Sequence, residues 1–319
     1  MLGNGNVALD VARVLAKQAD DLHTTEIPDH VYEGLKSSQV TDVHIFGRRG
    51  PAQAKFTPLE LRELGQVADV DIFVYPEDFE FDEGSTEAIE SSNQVKQVTK
   101  TLTDFAMREP TGAKRRLHLH FLHAPVAVLG EDQVTGLRTE RQELDGFGGV
   151  NGTGAFHDWD IDAVYRAVGY AGTQLPRLPF DQRRAVIPNH EGRVVDAEYQ
   201  AEAAEADVIP GVYTTGWIKR GPVGLIGHTK GDALETIGHI LDDQAAGALT
   251  GPVYEDPDSI VELLESKGIE YADWEGYHRL EAAEKALGEA EGRERVKIAT
   301  REAMLAEARA HLTAEATAG

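Results

Sequence analysis

The sequence predicts an α/β fold followed by a helical C-terminal appendage, and three observations support this. A short apolar run, a glycine turn and an amphipathic helix recur along the first two thirds of the chain, as in a parallel sheet covered by helices. Near the N-terminus, Gly3, Gly5 and Ala8 form the pattern G-x-G-x-x-A, a tight turn that leads into a helix. From about residue 257 the sequence changes to long windows rich in Ala, Glu and Arg, which predict helices.

The elements of the first part follow in order from hydrophobic periodicity. A helix is predicted after the turn, because apolar residues recur at three- to four-residue spacing. The next strand ends at Gly47, and the helix after it ends at Gly65. A further strand covers 69–76, and a period-two run then precedes its hairpin partner. The corresponding segments are NVALDVARVLAKQ, TDVHIFGRRGP, LELRELG, DVDIFVYP, RRLHLHFLHAPVAVLG and VTGLRTERQEL.

The second part is predicted to contain two buried strands that enter glycine turns, and then a helix. The strands are DIDAVYRAVGYAG (160–172) and ADVIPGVYTTGWIKRG, and the helix is GDALETIGHILDDQAAG. The helical appendage contains DSIVELLESKG, WEGYHRLEAAEKALGEAEG and REAMLAEARAHL.

The composition narrows the function classes. The formal net charge is −24, from 31 Lys plus Arg against 55 Asp plus Glu, and this disfavours non-specific binding to nucleic acid or to an anionic membrane. No window is long and apolar enough to span a membrane, and the N-terminus does not resemble a signal peptide, so we expect a cytoplasmic protein. The chain has no cysteine, which excludes disulfides, a Cys nucleophile and a cysteine-held iron–sulfur cluster.

Two motifs point to a dinucleotide. The turn at Gly3 to Ala8 suits a pyrophosphate at a helix N-terminus, although the same pattern also occurs as a plain tight turn before a helix. Arg48 and Arg49 follow the second predicted strand, where guanidiniums suit the 2′-phosphate of NADP. The alternative is a surface arginine pair bonded to acidic neighbours. The distance from Gly3 to Arg48 exceeds the usual ~20 residues and implies an insertion in the crossover.

Three segments together resemble one protein family. GNGNVALDVAR, GRRGPAQAKFTPLELREL and GVYTTGWIKRGPVGLIGHTKGDALETI are similar, in order and spacing, to segments of the adrenodoxin-reductase-like ferredoxin–NADP reductases. The C-terminal WEGYHRLEAAEKALGEAEGRERVKIA is also similar. The resemblance implies a tandem dinucleotide-binding flavoprotein fold of the glutathione-reductase type. It also implies that 1–165 binds NADP, that 166–250 completes an FAD-binding domain and that 251–319 is an extension.

The resemblance implies a set of cofactor contacts. It assigns the NADP pyrophosphate to the first turn, the 2′-phosphate to the arginine pair and a further NADP contact to Glu60. Glu63 matches a catalytic carboxylate near the nicotinamide, whereas without the resemblance both glutamates would be taken as exposed helix residues. The residues of the third motif match a segment that lies against FAD. The implied NADP contacts are Asn4, Gly5, Asn6, Val7, Arg48, Arg49 and Glu60, and the implied FAD contacts are Trp217, Gly224, Leu225 and Ile226.

The chain departs from the family pattern in two places. His228 and Thr229 stand where the family usually has Thr-Asn, so polar contacts near the flavin are expected to differ. The family also has an FAD fingerprint, and about a domain of chain, before the NADP motif. We therefore expect this sequence to match the C-terminal two thirds of a reductase and to lack the N-terminal FAD-fingerprint segment. That segment would include the first strand of the NADP domain and a histidine partner of Glu63.

The implied activity is transfer of a hydride between NADPH and FAD and of single electrons to a ferredoxin-like iron–sulfur protein. Such a partner is usually acidic, so docking is expected at local basic islands containing Arg115, Arg116, Lys219 and Arg220. The alternative is that these four cations are ordinary surface residues. The alternative from another class is a non-catalytic NADP-binding module without flavin. The small subunit of a multi-subunit synthase is disfavoured, because such chains carry cysteine-bound clusters.

A metal site has little support in the sequence. His118, His120 and His123 alternate with apolar residues and have no carboxylate pattern beside them, which favours a packed strand over a ligand set.

Overall fold

The computed structural model describes residues 1–196, 208–222, 229–249, 251 and 254–310. Two units are present: unit 1 combines Met1–Val168 with the segment from Ile269 onward, and unit 2 is Gly169–Gly268. In the described part, the helices are α1 (Asn6–Ala16), α2 (Asp29–Lys36), α3 (Pro58–Leu64), α4 (Glu83–Ser91), α5 (Asn93–Ala106), α6 (Trp217–Arg220), α7 (Thr229–Ala245), α8 (Ser259–Ser266), α9 (Trp274–Ala290) and α10 (Arg301–Ala308). The strands are β1 (Asp42–Phe46), β2 (Val70–Val74), β3 (Arg115–His120), β4 (His123–Leu129), β5 (Gly136–Leu144), β6 (Val150–Asp160), β7 (Asn189–His190), β8 (Arg193–Val195) and β9 (Val208–Tyr213).

A parallel sheet of order β1-β3-β2 forms the centre of unit 1. Leu117 of β3 lies opposite Val43 on one side and Ile72 on the other. Beyond β1, Leu2 forms parallel bridges with Phe46 and with Arg166, so the chain's first residues lie beside the sheet without forming a full strand. The predicted strands before Gly47 and at 69–76 are confirmed, because alternating burial on two faces is readable from local sequence.

Three helices build the core on one face of this sheet. Leu9 of α1, Leu61 of α3 and Leu102 of α5 are buried in one cluster with Ile45 and Leu117. Each such side chain stabilises the fold by about 1.5–3 kcal/mol through burial. Since successive strand residues point to opposite faces, His44 and Phe46 belong to the other face.

An antiparallel sheet of order β4-β5-β6 also belongs to unit 1. The predicted hairpin is confirmed by the β4–β5 pairing. Strand β6 was not predicted, since its glycine-rich, polar sequence lacks an apolar alternation and most of its side chains are exposed. The predicted strand at 160–172 is wrong: within 161–172 the chain pairs only through the Arg166 bridge to Leu2. Its hydrophobic run has too little partner backbone to form a ladder.

The C-terminal helices of unit 1 are fastened by buried charges. Arg293 donates to the carbonyls of Thr25 and Ile27, and Glu284 pairs with Arg295 and Lys297. The predicted helices of the appendage are confirmed as α8, α9 and α10. The region 251–319 is nevertheless shared, because α8 falls in unit 2 whereas α9 and α10 fall in unit 1.

Unit 2 contains the small antiparallel sheet β7-β8-β9 and the helices α6, α7 and α8. The predicted strand before the GWIKRG turn is confirmed as β9, and the predicted helix after it as α7. Buried Val194 and Val195 of β8 lie at the centre of this small sheet. Among the described residues of both units, no helix is long and apolar enough to cross a bilayer.

Candidate functional site

The first turn of unit 1 depends on two glycines for different reasons. Gly3 has φ +119°, and a Cβ there would lie 2.2 Å from the carbonyl oxygen of Ala167. A side chain at this position would therefore force the backbone apart. Gly5 is the N-cap of α1, and a Cβ there would meet no described atom within 4 Å. The surface above Gly5 is therefore open to a ligand.

At the N-terminus of α1, no side chain caps the free N–H groups or balances the positive end of the helix dipole. Gly5 provides no side-chain cap, and the first turn of the helix contains no acidic residue. The positive end of the helix dipole and its first N–H groups are thus suited to an anion. Beside them, Asn4 Nδ2 is buried and has no hydrogen-bond partner among the described residues. An acceptor atom bound in this turn would satisfy it.

The arginine pair follows directly from the strand next to this turn. The N–H of Gly3 donates to the carbonyl of Phe46 at 2.9 Å, and a Cβ on Gly47 would lie 2.7 Å from Asn4 Nδ2. The N–H of Leu122 donates to the carbonyl of Arg49 and holds the turn. Close packing at Gly47 therefore keeps Arg48 and Arg49 near the open turn.

Arg48 and Arg49 have no ion pair or side-chain hydrogen bond with any residue that the structure describes. Arg48 is exposed and Arg49 is half-buried. In a chain with 55 acidic residues, the expected alternative was a pair of arginines bonded to acidic neighbours. The described part of the structure provides no such neighbours, and both guanidiniums remain able to bind an external anion.

The two predicted glutamates lie on α3 and are held by a residue of α1. Arg13 Nη1 donates to Glu63 Oε2 at 2.6 Å, and its Nη2 lies 3.8 Å from Glu60 Oε2. Arg13 also pairs with Asp10 at 2.6 Å. The two carboxylates are thus brought together by a single guanidinium.

Asn6 connects the first turn to the same helix. Its Oδ1 accepts from the backbone N–H of Thr57 at 2.8 Å, and its Nδ2 lies 3.3 Å from Thr57 Oγ1. Thr57 is the N-cap of α3, so the first two motifs are joined through side chains. Sequence reasoning missed Arg13 and Thr57. The Thr-Pro-x-Glu pattern at residues 57–60 could have indicated the helix start, but no local signal pairs Arg13 with α3.

The third motif lies in unit 2 and is described only in part. Trp217 begins α6 and is 46% exposed, with its ring 5.5 Å from that of Tyr170. An aromatic residue of the core would be buried, so this exposure indicates that Trp217 is not a core residue. Gly224, Leu225 and Ile226, like His228, lie outside the described residues.

The cations after Trp217 are bound within unit 2. Lys219 is buried and lies 2.9 Å from Asp232 and 2.5 Å from Glu235. Arg220 pairs with both of these carboxylates. Burial alone would raise the pKa of Asp232, but hydrogen bonds from Lys219, Gly216 N–H and Arg220 outweigh it and lower the pKa to about 2. Lys219 is therefore structural, whereas the Arg220 side chain is 54% exposed and its role in docking stays a prediction.

The other predicted island is also engaged in the fold of unit 1. Arg115 is buried and donates to the carbonyls of Leu15 and Lys17. Arg116 pairs with Asp42 at 2.6 Å. The sequence could not reveal this, because all three partners lie far away along the chain. Arg115 is thus structural, whereas the Arg116 side chain is 47% exposed and its role in docking stays a prediction.

A cluster of imidazoles occupies the second face of the parallel sheet. His44 Nδ1 lies 2.9 Å from His120 Nε2, while His118 contacts Asp42 at 2.9 Å and the Tyr75 hydroxyl at 2.8 Å. The rings of His44, His118 and His120 are parallel to within 8°. One ring nitrogen from each of these three histidines lies within 4.8 Å of the others, so the cluster has the spacing of a metal site, and the absence of a metal stays a prediction of the sequence.

Burial keeps these histidines neutral. It lowers the pKa of His44 to about 4 and that of His120 to about 2, from an ordinary value near 6.5. His123 begins β4, because the strand predicted to run through all three histidines breaks at Leu122, with φ +56°. Burial also lowers the pKa of His123 to about 4. Trp159 packs on the cluster, 4.5 Å from the His120 ring.

Known proteins resemble the chain over almost its entire length. No family model matches it. NADPH-ferredoxin reductase FprA of Mycobacterium tuberculosis is 38% identical over 310 residues, which cover 94% of this chain and 65% of that protein. The mitochondrial NADPH:adrenodoxin oxidoreductase of Arabidopsis thaliana is 33% identical over 320 residues, which cover 97% of this chain and 65% of that protein.

A solved structure extends the similarity to the fold. The structure of Mycobacterium tuberculosis FprA in complex with NADPH matches with a TM-score of 0.84 and 35% identity, and covers 96% of this chain and 66% of that one. The predicted α/β dinucleotide-binding fold is thereby confirmed. The chain spans 65% of the length of the curated relatives named above. The resemblance seen in the three motifs is therefore confirmed, and the chain is a homologue of the adrenodoxin-reductase-like ferredoxin–NADP reductases.

Proposed function

We propose that this chain forms the NADP-binding and electron-delivering part of a ferredoxin–NADP reductase. It would pass a hydride between NADPH and FAD and single electrons to a ferredoxin-like iron–sulfur protein in the cytoplasm. The observation that carries the proposal is the pair Arg48 and Arg49, unpartnered among the described residues and packed beside the open N-terminus of α1. The relatives support the same activity, since their names specify NADPH, ferredoxin and adrenodoxin.

The proposed NADP site uses residues from both motifs of unit 1. The pyrophosphate would lie over Gly5, against the N–H groups of Asn6 and Val7, with Asn4 as a further donor. Arg48 and Arg49 would bind the 2′-phosphate bidentately. Glu60 would contribute a further contact from α3. These assignments make 1–165 the NADP-binding domain.

Glu63 is proposed as the carboxylate beside the nicotinamide. Arg13 fixes its Oε2 at 2.6 Å, which limits the rotamers of a long side chain. An anion at this position favours the positively charged ring of NADP⁺ over the neutral ring of NADPH, and so favours hydride donation. Arg13 is then a positioning residue for the carboxylate.

The flavin contacts are proposed for 166–250, with 251–319 as an extension. When bound, FAD accepts two electrons as a hydride and releases them singly. Trp217 is exposed and available to lie against it, with Tyr170 as its neighbour. Gly224, Leu225 and Ile226 are proposed to approach it through their backbone, on the strength of the resemblance.

A comparison of NADP⁺ with NAD⁺ tests whether Arg48 and Arg49 bind the 2′-phosphate. The purified chain is titrated with NADP⁺ and with NAD⁺ by isothermal titration calorimetry. Because two charged hydrogen-bonding groups are involved, we expect NADP⁺ to bind tighter by on the order of 100-fold. The double variant Arg48→Ala/Arg49→Ala should lose this preference and leave NAD⁺ affinity unchanged. Arg138→Ala, which removes an exposed cation, is the matched control. Equal affinity for both nucleotides in the unaltered chain would refute the assignment.

A flavin assay separates the reductase from the non-catalytic module. The chain is incubated with FAD, freed of excess flavin and examined by visible absorption before and after addition of NADPH. Retained flavin bands that bleach with NADPH support the reductase. Binding of NADP⁺ without any retained flavin favours the non-catalytic NADP-binding module.

A further inference from the structure

Unit 2 carries a cluster of arginines on a surface loop that the proposed function has not used. The loop spans residues 173–185, and we refer to it as the basic loop. It contains Arg177, Arg183 and Arg184, all exposed, and a single acidic residue, Asp181. Such a composition stands out in a chain with 55 acidic and 31 basic residues.

The one carboxylate of the basic loop is hydrogen-bonded to the loop's own backbone. Asp181 Oδ1 accepts hydrogen bonds from the N–H groups of Arg183 and Arg184, each at 2.9 Å. A pair of backbone hydrogen bonds between Asp181 and Val186 closes the turn. Arg177 and Arg183 form no ion pair with any described residue. Asp181 thus shapes the loop without pairing with these two guanidiniums.

The basic loop is attached to the segment that carries Trp217. Just after the loop, the N–H of Ile187 donates to the carbonyl of Ile218 at 2.8 Å, and Asn189 Nδ2 donates to the carbonyl of Lys219 at 3.1 Å. Just before it, Tyr170 lies against Trp217 with ring centroids 5.5 Å apart. Both ends of the loop are therefore held at α6, where the flavin is proposed to lie.

We propose that the basic loop is the docking surface for the electron acceptor, an acidic iron–sulfur protein. This inference rests on the proposed function. Charges farther apart than about 8 Å are largely screened at physiological ionic strength, so the local arginines outweigh the net charge of the chain. Arginine also binds carboxylates bidentately, which orients a partner as well as attracting it.

The position of the loop agrees with this role. A partner docked on it would lie next to the turn that contains Trp217, and electron transfer requires a short path from the flavin to the iron–sulfur cluster. The cations that first suggested docking are bound to carboxylates or carbonyls within their own units. The basic loop differs in that its exposed Arg177 and Arg183 have no ion pair with any described residue.

Binding of an oxidised plant-type [2Fe–2S] ferredoxin to the full chain tests the proposal. Isothermal titration calorimetry is run at low and at moderate salt. The variant Arg177→Gln/Arg183→Gln/Arg184→Gln should bind at least about tenfold more weakly and should show a flatter salt dependence. The control Arg108→Gln/Arg138→Gln/Arg301→Gln removes the same charge from exposed sites of unit 1 and should bind almost as well as the unaltered chain.

A charge-conserving variant controls for misfolding, and a nucleotide titration separates failure of the docking proposal from failure of the proposed function. Arg177→Lys/Arg183→Lys/Arg184→Lys should recover most of the affinity, which excludes misfolding as the cause of the loss. Equal weakening in loop and control variants would overturn the proposal, as would an unaltered chain that binds NADP⁺ but not the ferredoxin. A chain that fails to bind NADP⁺ would instead contradict the proposed function itself.

Discussion

The two units of this chain use polar and apolar groups in opposite ways. Unit 1 buries apolar residues from three helices and a parallel sheet in one core, and places His44, His118 and His120 on the second face of the sheet. In the described part of unit 2, the buried apolar residues are only Val186, Ile187, Pro188, Val194 and Val195.

Helix α7 shows the difference most clearly. Its polar face points inward, where Asp232 pairs with Lys219 and where Asp243 pairs with Arg193 at 2.6 Å and accepts from Tyr213. Its apolar residues Leu234, Ile237 and Leu241 are exposed, Leu234 by 72%. Their spacing places them on one face. Helix α7 therefore packs on its own unit through ion pairs, although it carries a continuous apolar stripe. Helix α1 instead packs through buried Leu9 and the alanines around it.

The largest expected effect comes from breaking the ion-pair network of unit 2. Lys219→Met leaves Asp232 buried with fewer partners, and should destabilise unit 2 by about 3 kcal/mol. Arg138→Met, which breaks the exposed pair with Asp158, should cost less than about 1 kcal/mol. Urea unfolding followed by Trp217 fluorescence measures the first, and Trp159 fluorescence measures the second. A similar loss in the free energy of unfolding for both variants would show that the stability of unit 2 does not depend on its buried ion pairs.

Acid should unfold the two units in different ranges of pH. In unit 1, the pKa of His44 and His123 is about 4 when folded and near 6.5 when unfolded. The unfolded state therefore binds more protons below pH 6.5, and stability falls between pH 6.5 and 4. In unit 2, hydrogen bonds from Arg193 and Tyr213 lower the pKa of Asp243 to about 2, as the Lys219 network does for Asp232. Its stability should fall only between pH 3.8 and 2.

Single-tryptophan variants separate the two acid transitions. Trp159 reports on the histidine cluster when Trp217 and Trp274 are replaced by phenylalanine, and Trp217 reports on unit 2 when the other two are replaced. Fluorescence is followed from pH 7 to pH 2. One common midpoint for both signals would contradict the difference in titrating groups.

The smallest expected effect on stability comes from the exposed face of α7. Leu234→Gln/Leu241→Gln should change the free energy of unfolding by no more than about 0.5 kcal/mol, because these side chains are already exposed. The same change should reduce the fluorescence of the apolar dye ANS, since the exposed stripe would bind it. A large loss of stability would mean that the stripe is covered in solution.

Local sequence identified the elements whose pattern is complete within a few residues. Strands β1 and β2 and helix α1 follow from periodicity, and the turn at Gly3 follows from a conformation that favours glycine. Strand β6 escaped prediction, because its exposed glycine-rich run is ordered only by pairing with β5. The run at 160–172 was mistaken for a strand, because hydrophobicity alone does not provide a partner.

By itself, the sequence determined the α/β class, the first turn, the arginine pair and the family. Each of these features depends on consecutive residues or on a motif of fixed spacing. Only the tertiary structure decided which charges remain available: Arg115 and Lys219 are buried with partners, whereas Arg48 and Arg177 have none among the described residues. It also joined Arg13 to Glu63 across 50 residues. The physical reason is that an ion pair depends on distances in space, and these distances exist only after distant segments have packed together.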